Sequence, residues 1–405
     1  MAPTSESELI LVDPDGDLIL KVGSERGTAE ESEPNASQNS SDGPEAATQE
    51  VAENKRPSTL RIRVCSKFMT MCSPVFNAML SGSFREGQLP LSPLEPPTLE
   101  LPEDDPRSMV ELCRILHHKW DPRLEAFPFG VLETAIVADK YGCSAIARSW
   151  FHHRFLRETA KKSGYSRLDL AQLIKISYVL DDVEAFYFLT LEAYKRWPTK
   201  KNKSDVFISE LSRIPPLPKV HEILEQIAIA QLRELTTCCY EILSVLCEDR
   251  RVWGGLGAHS TISTFEREEG VPKVCDGQAY RMAQFIQALY EFGLSLPLDN
   301  YRKPATLEEA ICIVRQIAKS HVKDTLVPCV NTNCYSCETA WDEVIEDMAE
   351  KFENELHGIC LVCLRRGDFT ACKIVTKCTE HNDGFASGWS MNSGRDTRNF
   401  EKLTE

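Results

Sequence analysis

The chain has 405 residues, 42 % of them hydrophobic, and a formal net charge of −15. That length supports two or three cores of ordinary size. The acidic balance argues against a general nucleic-acid binder, which needs a basic face to displace counterions from phosphates. No run of about 20 uncharged apolar residues occurs, so no membrane-spanning helix is expected. The opening stretch, Met1 to Glu8, is polar and acidic, unlike a signal or transit peptide. The 16 cysteines are therefore expected as thiols or metal ligands, in the cytoplasm or nucleus.

In chain order, Leu9-Ile10-Leu11-Val12 and Leu18-Ile19-Leu20-Lys21-Val22 are two β-prone runs around the turn sequence Asp13-Pro14-Asp15-Gly16. Two readings fit: a hairpin, or an N-terminal strand that serves a dimer. Residues 25–58 are rich in Ser, Glu, Asn, Gly, Pro and Ala and contain no aromatic residue. Such a segment cannot bury enough apolar area to offset its ordering entropy, so a disordered insertion between two strands is expected. Leu60, Ile62 and Val64 alternate with Arg61 and Arg63, the pattern of a half-buried strand. Two short helices follow, Ser66–Met71 and Ser73–Leu80, the second with Pro74 in a favourable first-turn position.

The four prolines of Leu89–Pro97 predict an irregular crossing, and Leu99-Glu100-Leu101 a short strand. Asp105-Pro106 opens a helix with Met109, Val110, Leu112, Cys113 and Leu116 as its apolar stripe. A second helix covers Gly130–Tyr141, with Leu132, Ala135, Ile136 and Ala138 inward and Gly142 as stop. A third covers Ser144–Arg157 with Ile146, Trp150, Phe151 and Phe155. Beyond it the pattern is helical: Leu168–Leu180 and Asp182–Trp197 as a helix pair, then a long helix after Pro215-Pro216-Leu217-Pro218 carrying Val220, Ile223, Leu224, Ile227, Leu235, Ile242 and Leu246 on one face. Thr306-Leu307-Glu308-Glu309 matches a capping box that starts a helix to about Val322.

The C-terminal region holds two C-x-x-C knuckles, Cys334/Cys337 and Cys360/Cys363, with 22 residues between them. Sixteen cysteines placed at random would give roughly 0.6 such pairs, so two flanking one segment carry weight. The segment between reads as a helix, with Trp341, Val344, Ile345, Met348, Phe352 and Leu356 on a face and His357-Gly358 at its end. Four thiolates from Cys334, Cys337, Cys360 and Cys363 would hold one structural zinc ion tetrahedrally. Cys329, Cys372, Cys378 and His381 are nearby substitutes.

Residues 17–157 resemble a BTB (POZ) domain of the diverged type common in fungal proteins. The resemblance rests on Asp17, on Ser73, Pro74, Phe76, Met79, Leu80, Gly82, Phe84 and Glu86, and on Ala138-Asp139-Lys140-Tyr141-Gly142. Cys65-Ser66-Lys67 stands where animal members carry a His-Lys pair. The resemblance implies an α+β domain with a small sheet and clustered helices, ahead of a mostly α-helical C-terminal region. The expected layout is a strand or tail at 1–16, the BTB domain at 17–160 with its insertion at 25–58, a helical region at 161–328, a Cys-rich segment at 329–385 and a tail at 386–405.

Such proteins hold other proteins. The resemblance thus implies a non-enzymatic interaction module that self-associates, as a homodimer, or acts as an adaptor or scaffold. A substrate adaptor of a cullin-type ubiquitin ligase is the alternative, which would need an exposed apolar helix face near 106–118. A zinc-dependent hydrolase is a further one. No G-x-S-x-G, H-E-x-x-H or strand–G-x-G-x-x-G–helix pattern supports an enzyme, and Trp253–Gly257 has no P-loop ending. His117-His118 and His152-His153 are expected as half-exposed helix positions, since adjacent residues on a helix point about 100° apart. Phe76, Met79, Leu80 and Phe84 are expected in the core, Gly82 in a turn and Asp17 in a cap or turn.

Overall fold

The computed structural model describes residues 8–24, 59–82, 84–119, 130–161, 165–198, 209–211, 218–247, 276–294, 304, 306–320, 341–366 and 378. The expectations for 25–58 and 253–257 fall outside this set. The fold is α+β, with one four-stranded sheet and otherwise helices. Two compact units divide it: residues 1–165 with 175–182, and residues 166–174 with 183–405. Among the described residues no helix is long and apolar enough to cross a membrane.

In the first unit the strands are β1 (Leu9–Leu11), β2 (Leu18–Val22), β3 (Leu60–Val64) and β4 (Thr98–Leu101), in sheet order β1-β3-β2-β4. β2 and β3 are antiparallel, with Leu18 opposite Val64 and Val22 opposite Leu60. β4 runs parallel to β2. Alternation does its expected work in β3, where Leu60, Ile62 and Val64 are buried and the two arginines half-buried.

β1 does not form a hairpin with β2. It pairs in parallel with β3, Leu9 beside Arg61 and Leu11 beside Arg63. Both edges of β2 are already taken by β3 and β4, and the Val12–Asp17 turn carries the chain past the end of β3. The Val12 and Asp13 amides donate to the Arg63 carbonyl at 3.1 and 3.0 Å. The Arg63 side chain holds the turn from the other side, donating through Nε to the Gly16 carbonyl at 2.9 Å and through Nη2 to the Pro93 carbonyl at 2.7 Å.

The helices of this unit are α1 (Ser66–Cys72), α2 (Pro74–Ser81), α3 (Pro106–Leu116), α4 (Val131–Lys140) and α5 (Ser144–Lys161). A 3-10 turn, Arg85–Gln88, precedes the irregular Pro-rich crossing to β4. α3 is the hub and packs on α1, α4, α5 and β3. Its Asp105 cap accepts from Ser108 N–H at 2.9 Å. The stripe Met109, Val110, Leu112, Cys113 and Leu116 is buried as expected, and Ser108, Glu111 and Ile115 are buried too.

α4 is rotated from its expected phase. Val131, Thr134 and Val137 join Ala135 and Ala138 inside, while Leu132 is half-buried and Ile136 is 49 % exposed. Its C-terminus is a Schellman motif: Gly142 has φ +68, its amide donates to the Asp139 carbonyl, and Cys143 N–H reaches back to Ala138 at 2.7 Å.

The second unit holds α7 (Val183–Lys195), α8 (Pro218–Cys247), α9 (Asp276–Glu291), α10 (Leu307–Ser320), α11 (Trp341–Glu355) and α12 (Leu361–Arg366). α6 (Arg167–Val179) precedes α7, and Asp181 at φ +56 marks the junction between them. α7 packs on α8, α10 and α12, and α10 packs on α11. The long-helix stripe is buried from Val220 to Ile242. Thr306 caps α10 by accepting from Glu309 N–H at 3.1 Å. Trp341, Ile345, Ala349 and Phe352 form the inner face of α11, and Val344 and Met348 are half-buried.

Candidate functional site

α11 ends at Glu355, and residues 356–360 run on outside the helices, bonded to them only at the ends, where Leu356 N–H donates to the Glu353 carbonyl at 3.3 Å and the Cys360 carbonyl accepts from Leu364 N–H at 3.0 Å. Buried backbone of that kind needs other partners, and α7 supplies them. His357 N–H donates to the Tyr194 hydroxyl at 3.1 Å. Ile359 N–H donates to Thr190 Oγ1 at 2.9 Å. Thr190 spends its own hydroxyl hydrogen on the Phe186 and Tyr187 carbonyls, which leaves its lone pairs for Ile359. Gly358 lies so close that a Cβ there would run into the Tyr187 carbonyl. The segment is thus laid on α7 without room for a side chain at its middle.

That docking delivers Cys360 to the start of α12, and Cys363 follows three residues later on the same helical face. Both are buried. Cys378, half-buried, completes a cluster in which the three Sγ atoms lie within 4.8 Å of one another. The Cys363 and Cys378 sulfurs are 3.5 Å apart. Zinc–thiolate bonds of about 2.3 Å in a tetrahedron place sulfurs roughly 3.8 Å apart, so the cluster has the dimensions to hold a metal ion. Burial, with the neighbouring thiols Cys378 and Cys360 adding to it, pushes the Cys363 thiol up to about 12. Thiolates packed this closely repel one another, and a cation is what would favour them.

Of the four expected ligands, the structure brings Cys360 and Cys363 together. Cys334 and Cys337 lie outside the described residues, as do Cys329, Cys372 and His381. Cys378, expected as a substitute, stands at the cluster. Its sequence signal was weak, a lone cysteine at no knuckle spacing.

In the first unit the stretches around Ser73 and Tyr141 meet. The buried Ser73 hydroxyl caps α2 by accepting from Phe76 N–H at 3.0 Å and donates to the Tyr141 carbonyl at 2.6 Å. The Phe76 and Tyr141 rings stack, centroids 4.5 Å apart and 8° from parallel. The Tyr141 hydroxyl donates to Asp104 Oδ2 at 2.6 Å, and Lys140 Nζ lies 2.7 Å from Asp104 Oδ1. Asp17 caps α1 across the fold, accepting from Ser66 N–H and Ser66 Oγ, each at 2.7 Å.

His117 is not half-exposed. It is buried, with Nε2 accepting from Cys65 N–H at 3.1 Å and Nδ1 lying 2.7 Å from the Cys113 carbonyl. These partners require a neutral ring with its hydrogen on Nδ1. Burial holds its pKa below the ordinary imidazole range. No feature of the sequence announces this acceptor. His118 is exposed, and His152 lies 3.2 Å from Asp182 Oδ2. Phe84, expected inside, is 58 % exposed, its ring over Gly82 ahead of the 3-10 turn.

Two surfaces bear on partners. α3 presents no exposed apolar side chain. By contrast, edge strand β1 turns out Leu9 and Leu11, and α1 turns out Phe68 and Met71, at 44, 53, 42 and 73 % exposure. The residues just after α3 reach both elements. The Phe68 ring lies 5.2 Å from that of His117, and Lys119 Nζ, two residues on, donates to the Val12 carbonyl at 3.0 Å. No family model, curated protein or solved structure matches the chain.

Proposed function

We propose that the chain is a non-enzymatic protein–protein interaction module whose first unit is BTB-like and self-associates through β1 and α1. The observation that carries this reading is the exposure of Leu9 and Leu11 on edge strand β1, with Phe68 and Met71 exposed on α1. An edge strand offers backbone groups for further pairing, and exposed apolar side chains on it favour association. The strand and helix order, with Ser73 and Phe76 closing on Tyr141 and Gly142, supports the BTB reading. The buried surface of α3 gives no support to cullin docking. The metal at the thiol cluster is taken as structural zinc, because a sulfur-rich set suits a closed site.

The test is a charge inserted into the surface. Leu11→Asp with Met71→Asp removes association, read by light scattering on a sizing column, while leaving the circular dichroism spectrum and melting temperature near those of the parent. Association of the double variant as tight as the parent's would place the interface elsewhere.

A further inference from the structure

We infer that Cys378 is a metal ligand, and that the ion it shares with Cys360 and Cys363 ties Cys378 to the segment docked on α7. The inference rests on the zinc reading and adds the ligand and the coupling. Three sulfurs converge within 4.8 Å, yet only two of them share a helix face. The third arrives 15 residues after Cys363 along the chain. The Cys363–Cys378 separation of 3.5 Å is close to the roughly 3.8 Å between two thiolates on one tetrahedral zinc ion.

The first two ligands are themselves fixed by the 356–360 run, through His357 to Tyr194 and Ile359 to Thr190. Metal binding and docking on α7 therefore draw on the same backbone placement, and each favours the other. On binding, each coordinating thiol gives its proton to solvent and its sulfur lone pair to the ion. The metal keeps its oxidation state.

The experiment uses the full chain, purified without metal-affinity resin and then titrated with zinc chloride. About one tightly held zinc per chain is expected, and Cys378→Ser should weaken binding by more than about a hundredfold, beyond what loss of a group that merely orients a ligand costs. In the unmodified chain, chelator should speed alkylation of Cys360, Cys363 and Cys378, read peptide by peptide, while the exposed Cys312 on α10 stays unchanged. Chelator should also speed hydrogen exchange over 356–366. If zinc binds, Cys378→Ser leaves its affinity intact, and Cys378 is alkylated as fast as Cys312, the ligand assignment fails while the zinc reading stands. If no zinc binds at all, the zinc reading fails and takes the inference with it. The alkylation comparison needs no variant, so a misfolded Cys378→Ser does not shelter the assignment.

Discussion

Ser73→Ala removes one hydroxyl with two partners, and its cost can be worked from them. Loss of the cap on α2 costs about 1 kcal/mol. The Tyr141 carbonyl then loses its 2.6 Å donor and keeps only the Cys143 thiol at 3.6 Å, a weak one. A buried acceptor so stranded costs about 1–3 kcal/mol more. The sum, about 2–4 kcal/mol, corresponds to roughly 30- to 1000-fold more frequent opening at about 1.4 kcal/mol per decade. Hydrogen exchange with mass spectrometry on the full chain reads this locally. Peptides over α2 and α4 should accelerate together, because the hydroxyl joins them, while α10 in the second unit keeps its rate. Acceleration of no more than about fivefold is what the cap alone would give, and would refute the link to Tyr141.

The remaining predictions address the other polar anchors and the insertion. His117 has a folded-state pKa below its unfolded value, so its contribution is whole above about pH 6.5 and is lost as pH falls through the folded value. The parent's melting temperature should therefore drop between about pH 7 and 5.5 by more than that of His117→Gln; equal slopes would contradict the neutral-acceptor role. Gly358→Ala should push residues 356–360 off α7, costing two hydrogen bonds of about 1 kcal/mol each and lowering the melting temperature by about 4–8 °C. An unchanged melt would show that the close approach to Tyr187 is soft. Replacing residues 26–56 by a Gly-Ser bridge should alter stability by only about 1 kcal/mol, since Val22 and Leu60 are already opposite one another in the sheet. A loss beyond about 8 °C would show that the segment packs on the domain.

The sequence spoke most clearly where local rules act alone. Alternation placed β3, the Ser-Pro start placed α2, and the Thr306 box placed α10, because each depends on residues within a turn or a strand. Phase was harder in α4, where Val-Leu-Glu-Thr-Ala-Ile-Val offers apolar residues around most of the helix and only packing on α3 and α5 selects Val137 over Ile136. Pairing of β1 was illegible because its partner, β3, lies some 50 residues away, across the insertion. The same holds for the site. The Cys360/Cys363 knuckle is a local pattern, whereas Cys378 joins it only through the path of the folded chain. His117 likewise gains its role from Cys65, at the far end of β3.

Association through the first unit is tested by sedimentation of the full chain at micromolar concentration. A species of twice the 45.7 kDa of one chain is expected, dissociating on dilution and abolished by Leu11→Asp with Met71→Asp. A single species at the mass of one chain throughout that range would contradict it.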